Sequence, residues 1–356
     1  MRFAARVAFV AVLATSSPAG AADAAKSAAD SSLTEFQTAG SLAMQADMKA
    51  ALPHLQRVRP DALSEKQRAI WQCMRDRFIA RKPAPMPELD PWSADVLRLY
   101  RTYWTGVMLR SVPAQQGERT LATALAKKLD HATADMATLE PLLQAQLESH
   151  GYHALFGVTT PLREFMLWRK QTDETYDIDL PGGHEPVHVT MMDDFASLGW
   201  LGYAVCDYHH TGGWATQERL FAVRSAYDLD SEDFKVSYLA HEGQHFADYR
   251  RFPGLGQADL EYRAKLVEIA KARTTLYALL DAFGANGSED REQPHPWADH
   301  QVVTRLAVKL LGGAPPSPEA WQRVAPEKIN ATAAELLEQD SRERAAKSGA
   351  APASRM

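Results

Sequence analysis

The sequence predicts an α+β fold that is mainly helical, with a small sheet just ahead of one helix carrying the most distinctive motif of the chain. Three observations predict it. From residue 33 to 152 apolar residues recur at helical spacing, as in Ile70, Cys73, Met74 and Phe78, or Leu97, Tyr100, Trp104 and Met108. At about Tyr176 the period changes to two, where Tyr176-Asp177-Ile178-Asp179-Leu180 alternates apolar with acidic. Beyond residue 231 helical spacing returns and holds nearly to the C-terminus.

With 356 residues, 46% hydrophobic and 24% charged, the chain has ample apolar material for a core, and disorder is not the default. A formal charge of −6 gives no electrostatic reason to bind phosphate backbones or anionic lipid, so no nucleic acid is expected as a partner. Arg2 and Arg6 precede an apolar run over residues 7–14, then Ser16-Ser17-Pro18 and the small residues Ala19-Gly20-Ala21. Residues 1–21 therefore read as a secretory signal peptide cleaved after Ala21. The apolar run falls far short of the ~20 residues that span a bilayer, so no membrane anchor is expected after cleavage. No cysteine stands near the cleavage point to carry a lipid, and the expected destination is periplasmic or secreted. Cys73 and Cys206 can form one disulfide in such a compartment or remain two buried thiols.

Residues 22–32, rich in Ala, Ser and Asp, read as a mobile N-terminus, and residues 33–175 as a helical N-terminal portion. The proline-rich Lys82-Pro83-Ala84-Pro85-Met86-Pro87 connects helices there, and Pro141 starts a new helical turn. The motif-bearing region is expected over residues 176–347. Its strand candidates are residues 176–180 and 187–189, joined by the turn Pro181-Gly182-Gly183, then 200–206 and 214–224, the last preceded by Thr211-Gly212-Gly213. Asp230 and Ser231 are N-cap candidates for a helix over 232–251, with Glu232 and Asp233 acidic in its first turn. Phe252-Pro253-Gly254-Leu255-Gly256 ends that helix, and further helices are expected over 258–283, 297–311 and 318–347, with a loose tail at 348–356.

Within the helix at 232–251 stands His241-Glu242-Gly243-Gln244-His245. Two histidines four apart fall on one helix face and can place an imidazole nitrogen each on one metal ion, expected to be a single Zn²⁺. Glu242, a little over a quarter-turn round, suits a general base that takes a proton from water made acidic by the metal. The bland alternative is a surface helix with two solvated histidines.

A catalytic zinc needs a third protein ligand and an open position. The following helix offers Glu261 and, two turns further along the same face, Glu268. Glu261 is preferred because Ala264 leaves room for the two helices to approach. Glu268 stays open as an alternate ligand or as a hydrogen-bond acceptor for a ligand histidine.

On these residues the chain resembles the gluzincin metallopeptidases, in which the two histidines and glutamate of this motif are joined by a glutamate from a following helix. Glu261-Tyr262-Arg263-Ala264 looks like their Glu-x-x-Ala segment, although Lys265 stands where many relatives have Asp or Asn. The resemblance covers residues 211–272 and implies a zincin-like catalytic region, a peptide or protein substrate, and an edge strand that pairs with the extended substrate backbone. Gly213, Trp214 and Ala215 are the candidates for that strand. Tyr238, Tyr249, His209, His210 and Arg263 are candidates to steady the oxyanion of a tetrahedral intermediate, each with a structural alternative. The expected activity is therefore an exported zinc peptidase. The alternatives are a non-catalytic envelope protein with a structural zinc site and a zinc hydrolase acting on a non-peptide bond.

Overall fold

A computed structural model describes residues 18–313 and 317–348. The expected leader at 1–21 lies outside the described residues as far as residue 17, and the expected tail lies outside them from residue 349. Among the described residues no helix is long and apolar enough to cross a membrane. The chain forms two compact units, one reaching Trp168 and including Phe195–His210, the other comprising Arg169–Asp194 and the chain from Thr211. A single boundary at 175/176 does not describe this division, because a long β-hairpin leaves the first unit and brings the chain back to it.

The first unit is built from α1 (Pro18–Met44), α2 (Met48–Arg57), α3 (Glu65–Phe78), α4 (Pro91–Met108), α5 (Ala114–Lys128) and α6 (Met136–Ser149). Residues 22–32, expected to be loose, are helical within α1; their alanine content favours helix, and Ser32 is buried, accepting a hydrogen bond from the Arg59 N–H at 3.2 Å. Local sequence explains the helix starts. Ser64 and Gln67 form a reciprocal cap on α3, while Asp90 accepts from two backbone N–H groups of α4, whose first residue is Pro91. The spacing noted in α4 puts Leu97, Tyr100, Trp104 and Met108 in the core without measurable exposure, and Trp104 Nε1 donates to the Arg163 carbonyl at 2.8 Å. Cys73 and Cys206 form a disulfide.

Strands β1 (His153–Thr159), β2 (Leu162–Leu180) and β3 (Gly183–Leu198) follow, so the helical portion ends earlier than residue 175. β1 pairs antiparallel with the start of β2, from His153↔Trp168 to Thr159↔Leu162. The run Phe165-Met166-Leu167-Trp168 is buried throughout, and a continuous apolar run cannot be assigned to helix or strand by period alone. The strand expected at 200–206 is instead helix α7 (Gly199–Ala204). Its start is fixed by Glu164, whose buried carboxylate accepts the Trp200 N–H at 3.1 Å. Gly199 is required there, since its φ is +82° and a Cβ would stand 2.1 Å from Glu164 Oε1.

The second unit contains the distal parts of β2 and β3, then β4 (Gly213–Ala215) and β5 (Leu220–Val223), in the sheet order β1-β2-β3-β5-β4. The alternation read near residues 176–189 holds, with Glu185, Val187, Val189 and Met191 buried on β3. β5 runs parallel to β3 and antiparallel to β4, which is an edge strand. The single strand expected at 214–224 is broken because Thr216 Oγ1 accepts the N–H groups of Glu218 and Arg219, closing a turn.

A π-helix (Asp233–Ala240) then runs directly into α8 (His241–Arg251), followed by α9 (Gln257–Lys271), α10 (Leu276–Asn286), α11 (Pro294–Leu311), the short α12 (Pro318–Trp321) and α13 (Pro326–Ser348). The single helix expected at 258–283 is interrupted. Glu232 accepts the N–H groups of Arg273 and Thr275, each at 2.7 Å, and both threonine hydroxyls at 274 and 275, while Asn330 donates to the carbonyls of Ile269 and Ala272. These bonds satisfy backbone groups that a continuous helix would otherwise use. Phe234, Leu239 and Phe246 pack with Val187, Val189 and Leu220 of the sheet. Tyr262, Leu266, Val267 and Ile269 of α9 pack with residues of α10, α11 and α13.

Burial alone would raise the Glu232 carboxyl, but the Thr274, Thr275 and Arg273 hydrogen bonds outweigh it and hold the pKa at about 2 against an ordinary 4.5. A pKa depressed on folding stabilises the protein above about pH 4.5, and that contribution is lost as pH falls toward 2. Glu232→Gln is expected to lower the melting temperature at pH 7, by roughly 2–4 °C for each kcal/mol lost. It should also flatten the acid limb of the stability curve between pH 5 and 2, read by circular dichroism.

Candidate metal centre

Regular α winding begins at His241, so the four-residue spacing to His245 falls wholly within α8 and brings the rings together, with centroids 4.8 Å apart and planes nearly perpendicular. The two Nε2 atoms are 3.1 Å apart. Both side chains are buried. Gly243 lies on the opposite side of the helix, where a Cβ would meet Val187 Cγ2 at 3.2 Å. A larger residue there would press α8 away from β3.

Helix α9 is buried from Leu260 through Ile269, so Glu261 is not the solvated acid that its charged neighbours suggest. One Glu261 oxygen lies 3.3 Å from His241 Nε2 and the other 3.5 Å from His245 Nε2. Ala264, with no measurable exposure, permits this approach. Donor atoms of His241, His245 and Glu261 lie within 4.8 Å of one another, and this buried group can hold a metal ion. Glu268 takes a different place, with Oε1 2.6 Å from His241 Nδ1, the nitrogen facing away from the other donors.

The electrostatics suit a cation. Burial by itself would lower the His241 pKa, but hydrogen bonds with Glu261 and Glu268 outweigh it and carry it up to about 10. Burial would likewise raise Glu261, yet the contacts with His241, His245 and His295 hold it well below the usual carboxylate range. Two buried carboxylates facing one imidazole favour positive charge at this point, and a metal ion competes with the proton for it.

A buried ion network fixes the helices that carry these donors. Arg263 grips Asp248 of α8 through two bonds of 2.8 Å and reaches Asp340 of α13 at 2.6 Å, while Gln244 donates to the same Asp248. Arg344 pairs with Asp340 and with Asp259, and Asp259 with Arg291. Arg263 is 1% exposed and each of its three nitrogens bonds a carboxylate, which favours its structural role over an oxyanion contact. Lys265 turns toward α11, pairing with Asp299 at 2.8 Å with its ammonium 4.3 Å from the Phe283 ring centroid. Glu268, less than a turn beyond Lys265, supplies the acid that meets His241.

Glu242 is half-buried beside three tyrosines. Burial is the main cause that raises the phenols of Tyr227, Tyr238 and Tyr249, and the Glu242 charge adds to it in each. Tyr238 is committed elsewhere: its hydroxyl donates to the Phe221 carbonyl at 3.2 Å and its ring stacks on Tyr227. Tyr249 remains 37% exposed, its ring 6.4 Å from that of His245. His209 and His210 belong to the other compact unit, so they are not among the residues this unit brings to the group. Gly213, Trp214 and Ala215 form the edge strand β4, where Trp214 stacks on Phe221 at 5.0 Å and a Cβ on Gly213 would lie 2.1 Å from the Phe221 carbonyl oxygen.

Two residues escaped the sequence reading. His295, in the first turn of α11, places Nδ1 2.9 Å from Glu261 Oε2, and its only sequence signal is a histidine between two prolines. The Tyr227 hydroxyl comes within 2.8 Å of where a Cβ on Gly212 would stand, just ahead of β4. Nothing in the local pattern marks it.

A carboxylate that orients a ligand histidine typically contributes 10–100-fold in metal affinity. Glu268→Gln is expected to weaken divalent-metal binding by about that factor, measured with zinc in a competition titration, while the far-ultraviolet circular dichroism stays unchanged. No family model, curated protein or solved structure matches this chain.

Proposed function

We propose that the chain is an exported zinc-dependent peptidase of gluzincin type, with one Zn²⁺ held by His241, His245 and Glu261. The observation that carries this reading is the convergence of two imidazole Nε2 atoms and one carboxylate in a buried site beside Glu242. Zinc bonds of about 2.0–2.1 Å at tetrahedral angles require ligand atoms roughly 3.3–3.4 Å apart. The two Nε2 atoms, 3.1 Å apart, lie close to that edge, each faces a different Glu261 oxygen at 3.3 or 3.5 Å, and one donor atom from each residue lies within 4.8 Å of the others. The donor set, two neutral-capable imidazoles and one carboxylate with no cysteine, is the kind that leaves a position open for chemistry.

When bound, the ion supplies Lewis acidity, which acidifies water and polarises a carbonyl. Glu242 accepts the proton from water as it attacks the peptide carbon and then delivers that proton to the leaving amine. Tyr249, one helical turn beyond His245 with its hydroxyl not committed to a backbone carbonyl, is the residue best suited to donate to the developing oxyanion. Glu268 holds His241 in the tautomer that keeps Nε2 free for coordination. Strand β4 offers an edge for backbone pairing with an extended peptide. Export rests on Arg2, Arg6, the apolar run after them and Ala19-Gly20-Ala21.

A second reading, a structural zinc closed by four protein ligands, is favoured by the position of His295 beside Glu261. Its side chain is 68% exposed, unlike the three buried donors, which weighs against it. X-ray absorption of the zinc-loaded protein separates the two, since three protein ligands and a water support catalysis and four protein ligands overturn it.

Glu242→Gln is expected to reduce kcat/KM on peptide substrates by about 100- to 10,000-fold at unchanged zinc content. Unaltered cleavage by that variant would sink the assignment, and faster turnover of an ester library than of a peptide library would move it to non-peptide bonds.

A further inference from the structure

Within the first compact unit a cavity of about 70 Å³ is lined by Arg77, Arg101, Ser197, Gly199, Tyr203 and Asp207, among others. Arg77 comes from the end of α3 and Arg101 from the middle of α4. Both guanidinium groups lie over the Tyr203 ring, at 4.2 and 5.6 Å from its centroid. One aromatic ring thus gathers two like charges.

Their neutralisation is incomplete. Asp207 is the one acid in the lining; the charges of Arg77, His210 and Arg101 all act on it, but among the described residues it stands in no close ion pair with either arginine. Its Oδ1 lies instead against Gly202, where a Cβ would stand 2.7 Å away. Burial lowers the pKa of both arginines, and the Arg77 charge lowers Arg101 further, by more than either the Tyr203 or the Asp207 charge restores. Each guanidinium has five N–H donors and commits Nη1 to a backbone carbonyl, Arg77 to Tyr203 and Arg101 to Pro85. Arg77 Nε is buried without a hydrogen-bond partner. Two partly buried cations facing one carboxylate leave donors and positive charge unsatisfied, a costly state unless an anion joins them.

We infer that this cavity binds one compact oxyanion, a carboxylate or phosphate group, between Arg77 and Arg101. Planar guanidinium forks match the paired oxygens of such groups better than a halide does. Size suits such a group. A water needs about 10–15 Å³, so a space of about 70 Å³ has room for one compact oxyanion head group.

The test is calorimetric titration of the full chain with inorganic phosphate and, separately, acetate, at constant ionic strength with sodium chloride as control. One-site saturation by phosphate alone supports a phosphate ligand, and saturation by acetate supports a carboxylate. Arg101→Gln should weaken binding at least tenfold. Asp207→Asn should tighten it several-fold by removing the competing charge; the residue sits at φ +59°, which asparagine tolerates, so this variant tests the site even if Arg101→Gln does not fold. Opposite effects of the two variants cannot come from general destabilisation. Titrations indistinguishable from chloride, or unchanged affinity in either variant, would overturn the inference.

Discussion

The buried guanidinium of Arg263 sets the geometry on which the candidate metal centre depends. It joins α9 to α8 through Asp248 and to α13 through Asp340, with bonds of 2.6–2.8 Å and almost no exposure. Removing one partner of such a buried pair typically costs 3–5 kcal/mol, because the other charge is left without compensation. The three contacts fix how far Glu261, two residues before Arg263, stands from the histidines, one of which lies three residues before Asp248. Protein interiors are too densely packed to shift by fractions of an ångström without cost, so this grip is transmitted directly to the donor atoms.

The centre combines residues legible in the sequence with others that are not. The pairing of His241 with His245 was readable because it is local: residues four apart on a helix share a face. Glu261 and Glu268 were readable as candidates, but their division of labour depends on which imidazole nitrogen each reaches, and that is a tertiary fact. Arg263 looked equally able to serve chemistry or structure, and only the carboxylates of Asp248 and Asp340 decide it. His295 and Tyr227 gave no signal, since their relevance lies in distances across elements far apart in sequence.

The fold was legible in the same uneven way. Period alone identified the long helices and the hairpin of alternating residues, and it failed where side chains override it. Glu164 turns an apolar run into helix α7, Glu232 splits one expected helix into α9 and α10, and Thr216 divides one expected strand into β4 and β5. Each departure traces to a side-chain oxygen capturing backbone N–H groups. Such competition is short in range but decided by the fold around it. The π-helix before His241 belongs to the same class, because hydrophobic spacing does not reveal how tightly a helical segment is wound.

Strand β4 is only three residues long, and at about 3.3 Å per residue it offers a ledge of roughly 10 Å. An unpaired sheet margin is normally a hazard, because a second molecule of the same chain can align along it and seed fibrous association. The bend at Thr216–Arg219 and the Gly212-Gly213 pair truncate this margin at both ends. What is left is enough for about three residues of a visiting strand and too little to template a stack.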